Sequence, residues 1–285
     1  MHNSYLNYRI ILLLNLIFLT CGGEVENLTS TPVPTAITAT VPVPVSVETP
    51  TPMQVPTTTI VPTQIPSPTT QPRPTKTPTT KTVSLGAIKD NTIYEDPKGE
   101  VSNGLGFHLF SGQTKKGKQR RTLLAFDVAK ALPSSAVVSS AELTLNVSRT
   151  SSDAFEFALH RIVQDWGEGD SDAARNEGDG SKAELGDATW LYRTYQSVLW
   201  ASPGGDFVKI PSATATIDDL DTYSWGSTSK MVSDVQSWIE DPDTNFGWAI
   251  IESGNSNHST KRFDSRENPS ATYRPTLIIG YTPSD

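Results

Sequence analysis

Between Glu24 and Thr82 the chain contains no Trp, Tyr, Phe or Gly, and 13 of its 21 prolines fall between Pro32 and Pro78. The same segment holds 18 threonines, in repeated Thr-Pro and Val-Pro steps. Each proline fixes φ, removes a backbone donor and disfavours α-helix at the residue before it. With no aromatic side chains to bury, the segment does not offset its ordering entropy. Residues 22–82 therefore read as an extended, disordered Thr/Pro-rich stalk, reaching roughly 180 Å at full extension. A core is left to residues 83–285, which carry all six tryptophans and suit one medium-sized domain.

The N-terminus reads as an export signal. Arg9 precedes the apolar run Ile10–Leu19, broken once at Asn15. The run is too short for a bilayer core of about 30 Å but suits a signal peptide. Thr20-Cys21-Gly22-Gly23 follows and resembles a bacterial lipoprotein cleavage site, although Phe18, Leu19 and Thr20 depart from the usual box. The expectation is a signal peptide over residues 1–21, lipidation at Cys21, and a protein exported to the bacterial surface on a lipid anchor. The alternative is an ordinary signal, or an uncleaved anchor, beside an incidental cysteine.

Charge and cysteine content exclude much chemistry. The net charge is −8, and residues 83–285 carry 19 basic against 28 acidic side chains. A nucleic-acid partner would need a broadly basic face, so none is expected. Cys21 is the sole cysteine, which rules out a disulfide, a zinc–thiolate cluster or thiol catalysis inside the domain. Gly112–Lys118 has Walker-A spacing, but Gln119 replaces the magnesium-binding hydroxyl and a strand follows. Asp170-Ser-Asp172 opens like an EF-hand loop, which Ala174 and Arg175 then break. A structural calcium held irregularly by Asp165, Glu168, Asp170, Asp172 or Asp179 stays open beside a solvated acidic loop. No other cofactor is expected. His108, His160 and His258 stand singly, without a nucleophile elbow or ligand spacing, and nothing singles out Asp165 with Glu168 as a glycosidase pair.

The domain alternates short strands and turns. Glu142–Ser148 places Leu143, Leu145 and Val147 on one face. Thr122–Val128, Phe155–His160, Gly247–Ile251 and Pro275–Tyr281 are further strand candidates. Met231, Val232, Val235, Trp238 and Ile239 follow helical spacing, with Ser229 placed to cap and Asp241-Pro242 to stop the helix. The fold class expected is all-β, a β-sandwich with one packed amphipathic helix. Trp238 and Trp248 are assigned to the core, and Trp190, Trp200 and Trp225 to the surface.

From about Leu85 to Thr282, ten segments in order carry a family resemblance. They are Asp90–Tyr94, Arg121–Asp127, Ser140–Leu145, Leu159–Gly169, Gly186–Trp190, Trp200–Phe207, Val235–Trp238, Asn245–Trp248, Phe263–Asn268 and Arg274–Leu277. Together they resemble the DNRLRE-domain family of bacterial and archaeal surface proteins, also called disaggregatase-related repeats, which overlaps a family of carbohydrate-binding modules. The hexapeptide that names the family is absent, with Asp264-Ser-Arg-Glu267 in its place. The resemblance implies a jelly-roll-like sandwich, an extracellular location and, in some members, binding of polysaccharide including acidic glycans.

Two function classes follow: a non-catalytic carbohydrate-binding module on a stalk, or a structural or adhesive domain contacting another protein or the envelope. Lys115, Lys116, Lys118, Arg120 and Arg121 form one basic group before a strand; Lys261, Arg262 and Arg266 form a second before the last strand. Convergence of the two would make a cationic patch for an acidic polysaccharide, with Tyr273 as a stacking face. A solvated hairpin whose lysines keep a strand edge soluble is the alternative. For the anchor, the full chain should incorporate a palmitate analogue and Cys21→Ser should abolish the label. An unlabelled wild type would overturn lipidation.

Overall fold

The computed structural model describes residues 79–283, so Cys21, the signal segment and residues 22–78 of the stalk lie outside the described residues. The strands run β1 Lys81–Gly86, β2 Lys89–Tyr94, β3 Val101–Ser102, β4 His108–Gln113 and β5 Gln119–Ala125. They continue with β6 Val137–Arg149, β7 Phe155–Arg161, β8 Ser181–Lys182, β9 Tyr192–Thr194 and β10 Val198–Leu199. The last are β11 Ala213–Ile217, β12 Thr222–Gly226, β13 Trp248–Glu252, β14 Lys261–Asp264 and β15 Thr276–Thr282. The first strand, β1, opens at Lys81, two residues ahead of the domain boundary expected at Val83.

One antiparallel sheet runs β1-β15-β6-β14-β4-β5-β13-β7-β11, with β12 paired to β6 and β2 to β5. It curls into an all-β, sandwich-like domain. The turning point is β14, paired with β4 on one edge and β6 on the other. A helix of four residues, α1 Val128–Ala131, follows β5, and α2 spans Ser229–Glu240. Among the described residues no helix is long and apolar enough to cross a membrane.

Two-residue periodicity explains the packing. On β5, Leu124 enters the main core with Leu143, Leu145, Phe157, Trp225, Trp248 and Phe263. Leu123 and Ala125 face the other way, into a second cluster with Ile93, Trp166, Trp190, Trp200 and Ala249. The connection between β7 and β11 supplies Trp166, Trp190 and Trp200, so β5 and β13 are covered on both faces. That corrects the surface assignment of Trp190, Trp200 and Trp225, which are 9%, 5% and 0% exposed. Their Gly, Ser and Pro neighbours do mark turns, but the turns around Trp190 and Trp200 lie over the sheet. Trp200 Nε1 donates to Thr189 O at 2.9 Å, and Trp225, inward on β12, donates to Phe157 O at 2.8 Å. Gly204 makes the close approach possible: at φ +89° a Cβ there would lie 2.9 Å from the Trp190 ring.

Helix α2 buries Met231, Val235, Trp238 and Ile239, and Trp238 meets Trp248 edge-on at 4.4 Å between centroids. Its cap is Thr228, whose Oγ1 accepts from Met231 N at 3.0 Å, in place of the expected Ser229. Asp234, fully buried on the inner face, accepts from Trp248 Nε1 at 3.1 Å and pairs with Lys230 and with Arg161 at 3.8 Å. Its loss would leave buried donors unmet. Asp234→Ala should therefore lower unfolding free energy by about 3 kcal/mol in urea titration, and an unchanged midpoint would contradict this anchoring role.

Candidate functional site: a cationic groove on the outer face

Side chains alternate along β14, so Lys261 and Phe263 face in while Arg262 faces out. The register sets Arg262 between Phe110 of β4 and Arg149 of β6. Around this point lies a groove of about 280 Å³, lined by Phe110, Lys115, Arg120, Arg149, His258 and Arg262 among others, with Asp179 its one carboxylate. Lys115 comes from the β4–β5 turn and His258 from the connection before β14.

Each cation is held differently. Arg262 donates from Nε to Ser148 Oγ and from Nη2 to Ser148 O, both at 3.1 Å. Burial lowers its pKa; Asp264 opposes that shift and Arg149 adds to it. Arg120 packs over Tyr94 at 5.4 Å, donates from Nη2 to Gly178 O and lies 3.6 Å from Asp179. Its Nε and Nη1 are buried without a hydrogen-bond acceptor, and burial again lowers its pKa. Arg149 is exposed and stands directly across from Arg262, with no ion pair of its own among the described residues. Like charges directly opposed across strands are destabilising. A bound anion would relieve this pair.

The fold brings together only part of the expected patch. Lys115, Arg120 and Arg262 converge; Lys116 and Lys118 are exposed on the same turn but lie outside the lining. Arg121 points to the opposite face of β5 from Arg120. It stacks on Trp190 at 4.7 Å and Phe207 at 5.2 Å, donates to Gly204 O at 2.6 Å, and burial pulls its pKa down to about 10. Arg266 is committed to Glu168 through Nε at 2.7 Å and Nη2 at 2.6 Å. Lys261 is fully buried and its Nζ donates to Thr150 Oγ1, Ser152 O, Asp153 O and Asp218 O at 2.6–3.1 Å. Tyr273, 48% exposed, lines a separate depression with Asn146, Ser148, Leu220, Asp264 and Asn268.

Arg149 escaped the sequence reading for a structural reason. Leu143, Leu145 and Val147 face inward, which by strict alternation would turn residue 149 inward too. Instead Arg262 opposes Arg149 while Phe263 opposes Val147, so Ser148 is an extra residue that re-aims Arg149 outward.

The other motifs resolve into scaffold. Gly112–Lys118 is the end of β4 and the hairpin turn that follows, with Thr114 N donating to Lys118 O at 2.9 Å. His108 lies 3.0 Å from Glu177 and 3.5 Å from Asp264, and His160 Nδ1 is 2.9 Å from Val208 O. Asp165 pairs with Lys89 at 2.8 Å, and Glu168 with Arg266 at 2.6 Å. Of the five acids weighed for calcium, Glu168 alone belongs to a group with metal-ligand spacing among the described residues, together with Asp90 and Glu267.

No protein-family model matches this chain, and no curated protein matches it either.

The buried ammonium of Lys261 offers a test of the inward and outward division on β14. Lys261→Met should cost about 3 kcal/mol of stability by leaving carbonyls unpaired, measured by chemical denaturation. Wild-type stability in this variant would mean that Nζ is not the staple of these loops.

Proposed function

We propose that the domain is a non-catalytic carbohydrate-binding module of the DNRLRE type, and that its groove takes the carboxylate or sulfate groups of an acidic polysaccharide. In this reading the lipid anchor at Cys21 and the Thr/Pro-rich stalk present the module at the bacterial surface. The observation that carries it is the unneutralised Arg149–Arg262 pair beside Arg120 and Lys115, in a domain otherwise dominated by acidic residues. Guanidinium groups suit bidentate contacts with planar carboxylates, and Lys115 adds a point charge at the rim. Hydroxyl groups of Thr150, Ser151 and Thr260 along the same lining suit sugar hydroxyls. A single carboxylate in the lining supports binding rather than hydrolysis, which ordinarily uses a pair.

Affinity electrophoresis of the full chain in gels containing a polyuronate, a sulfated glycan or a neutral glucan tests this reading. The acidic gels should retard the protein and the neutral gel should not. Lys115→Glu with Arg149→Glu should weaken binding by at least about tenfold, without lowering the melting temperature, since both side chains are exposed and the change at Arg149 removes the like-charge pair with Arg262. Lys116→Glu with Lys118→Glu should change it by less than about twofold. If the wild type runs freely in every acidic gel the reading fails, and a structural or adhesive domain contacting protein or envelope takes its place.

A further inference from the structure

Behind the sheet, three carboxylates from distant segments meet: Asp90 on β2, Glu168 in the connection after β7, and Glu267 in the connection after β14. One oxygen from each lies within 4.8 Å of the others. A calcium ion, bound at about 2.3–2.6 Å from each ligand, bridges such a span. The donors are all hard oxygens, with neither His nor Cys among them, which favours calcium or magnesium over zinc or copper.

A second observation points into the same place. Asp90 is 0% exposed, and its Oδ1 is buried without a hydrogen-bond donor, as is Oε2 of Glu267. Other oxygens of the group are engaged. Asp90 Oδ2 accepts from Arg266 N at 2.8 Å, and Glu168 Oε1 accepts from Asp90 N at 2.7 Å. The Arg266 guanidinium takes Glu168 through Nε at 2.7 Å and Nη2 at 2.6 Å, and lies 2.9 Å from Glu267 Oε1. Three carboxylates against one guanidinium leave two negative charges unmet. Lys89, the neighbouring cation on β2, is taken by Asp165 at 2.8 Å and by Trp166 O at 2.6 Å. Burial, then repulsion from Glu267, pushes the Asp90 carboxyl well above its ordinary pKa; Glu267 is raised too, first by burial and then by Glu168, against the pull of Arg266.

We propose that Asp90, Glu168 and Glu267 form a binding site for a single divalent cation of the calcium class, which staples β2 to the two connections. Asp90 Oδ1 and Glu267 Oε2 are the ligands otherwise left without a partner, and a dication cancels the residual charge.

Equilibrium dialysis of the EDTA-treated full chain against labelled calcium at pH 7.5 tests the site, alongside melting temperatures with and without calcium. One calcium per chain is expected, with a rise of at least about 5 °C on saturation. Glu267→Gln should lose both the bound ion and the rise. A carboxyl whose folded pKa is raised contributes stability only as pH falls toward that value, so a shared proton leaves a different signature. No bound calcium at pH 7.5, equal melting temperatures with and without it, and a Glu267→Gln variant more stable than wild type in both buffers would show that a proton between Asp90 and Glu267 fills the place, and would overturn the proposal.

Discussion

Strand β14 hydrogen-bonds to β4 on one edge and β6 on the other, and so joins the run β1-β15-β6 to the run β4-β5-β13-β7-β11 in one curled sheet. Four consecutive residues then acquire separate tasks by alternation. Phe263 enters the main core against Phe157 and Trp225, at 6.1 and 6.2 Å between ring centroids. Lys261 carries its charge into a ring of backbone oxygens, an arrangement that works because each oxygen meets a donor. Arg262 and Asp264 point to the opposite face, where the first lines the groove and the second, itself buried, closes on Asn146 and Asn268. A slip of one residue in β14 would exchange all four roles, which is why the register is so strongly specified.

The groove gains its character from how its cations are paired. Arg266 spends its donors on carboxylates, and Arg121 spends all but its buried Nε on a carbonyl, a side-chain amide and aromatic faces within the domain. Arg149 does not, and Arg120 does so only in part. Net charge says little about such a division: a domain with excess acid can still present a local positive field, because screening limits each charge to about 8–10 Å at ordinary ionic strength. Any binding through that field would weaken with salt, whereas the internal pairs, being partly buried, respond far less.

Much of the scaffold was legible in the chain. The strands at Glu142–Ser148, Phe155–His160 and Pro275–Tyr281 and the helix around Val235 all appear where periodicity places them, because each buries one apolar face. The two-sided burial of β5 and β13 was not legible. It depends on a connection of some 50 residues, from Ile162 to Ser212, whose tryptophans sit among turn residues and therefore read as surface. The site was half legible for a related reason. Sequence proximity grouped Arg120 with Arg121 and Arg262 with Lys261, yet neighbours on a strand point apart. Arg149 needed the bulge at Ser148, a feature of pairing that no single strand reveals.

The central claim, that the outward arginines meet an acidic chain while the inward ones hold the fold, has a direct reporter in the arginine Nε–H resonances. In a heteronuclear NMR titration with a uronate oligosaccharide, those of Arg120, Arg149 and Arg262 should shift together with one saturation curve, while those of Arg121 and Arg266 stay in place. Shifts confined to Arg121 or Arg266, or none in the groove at saturating oligosaccharide, would contradict the account.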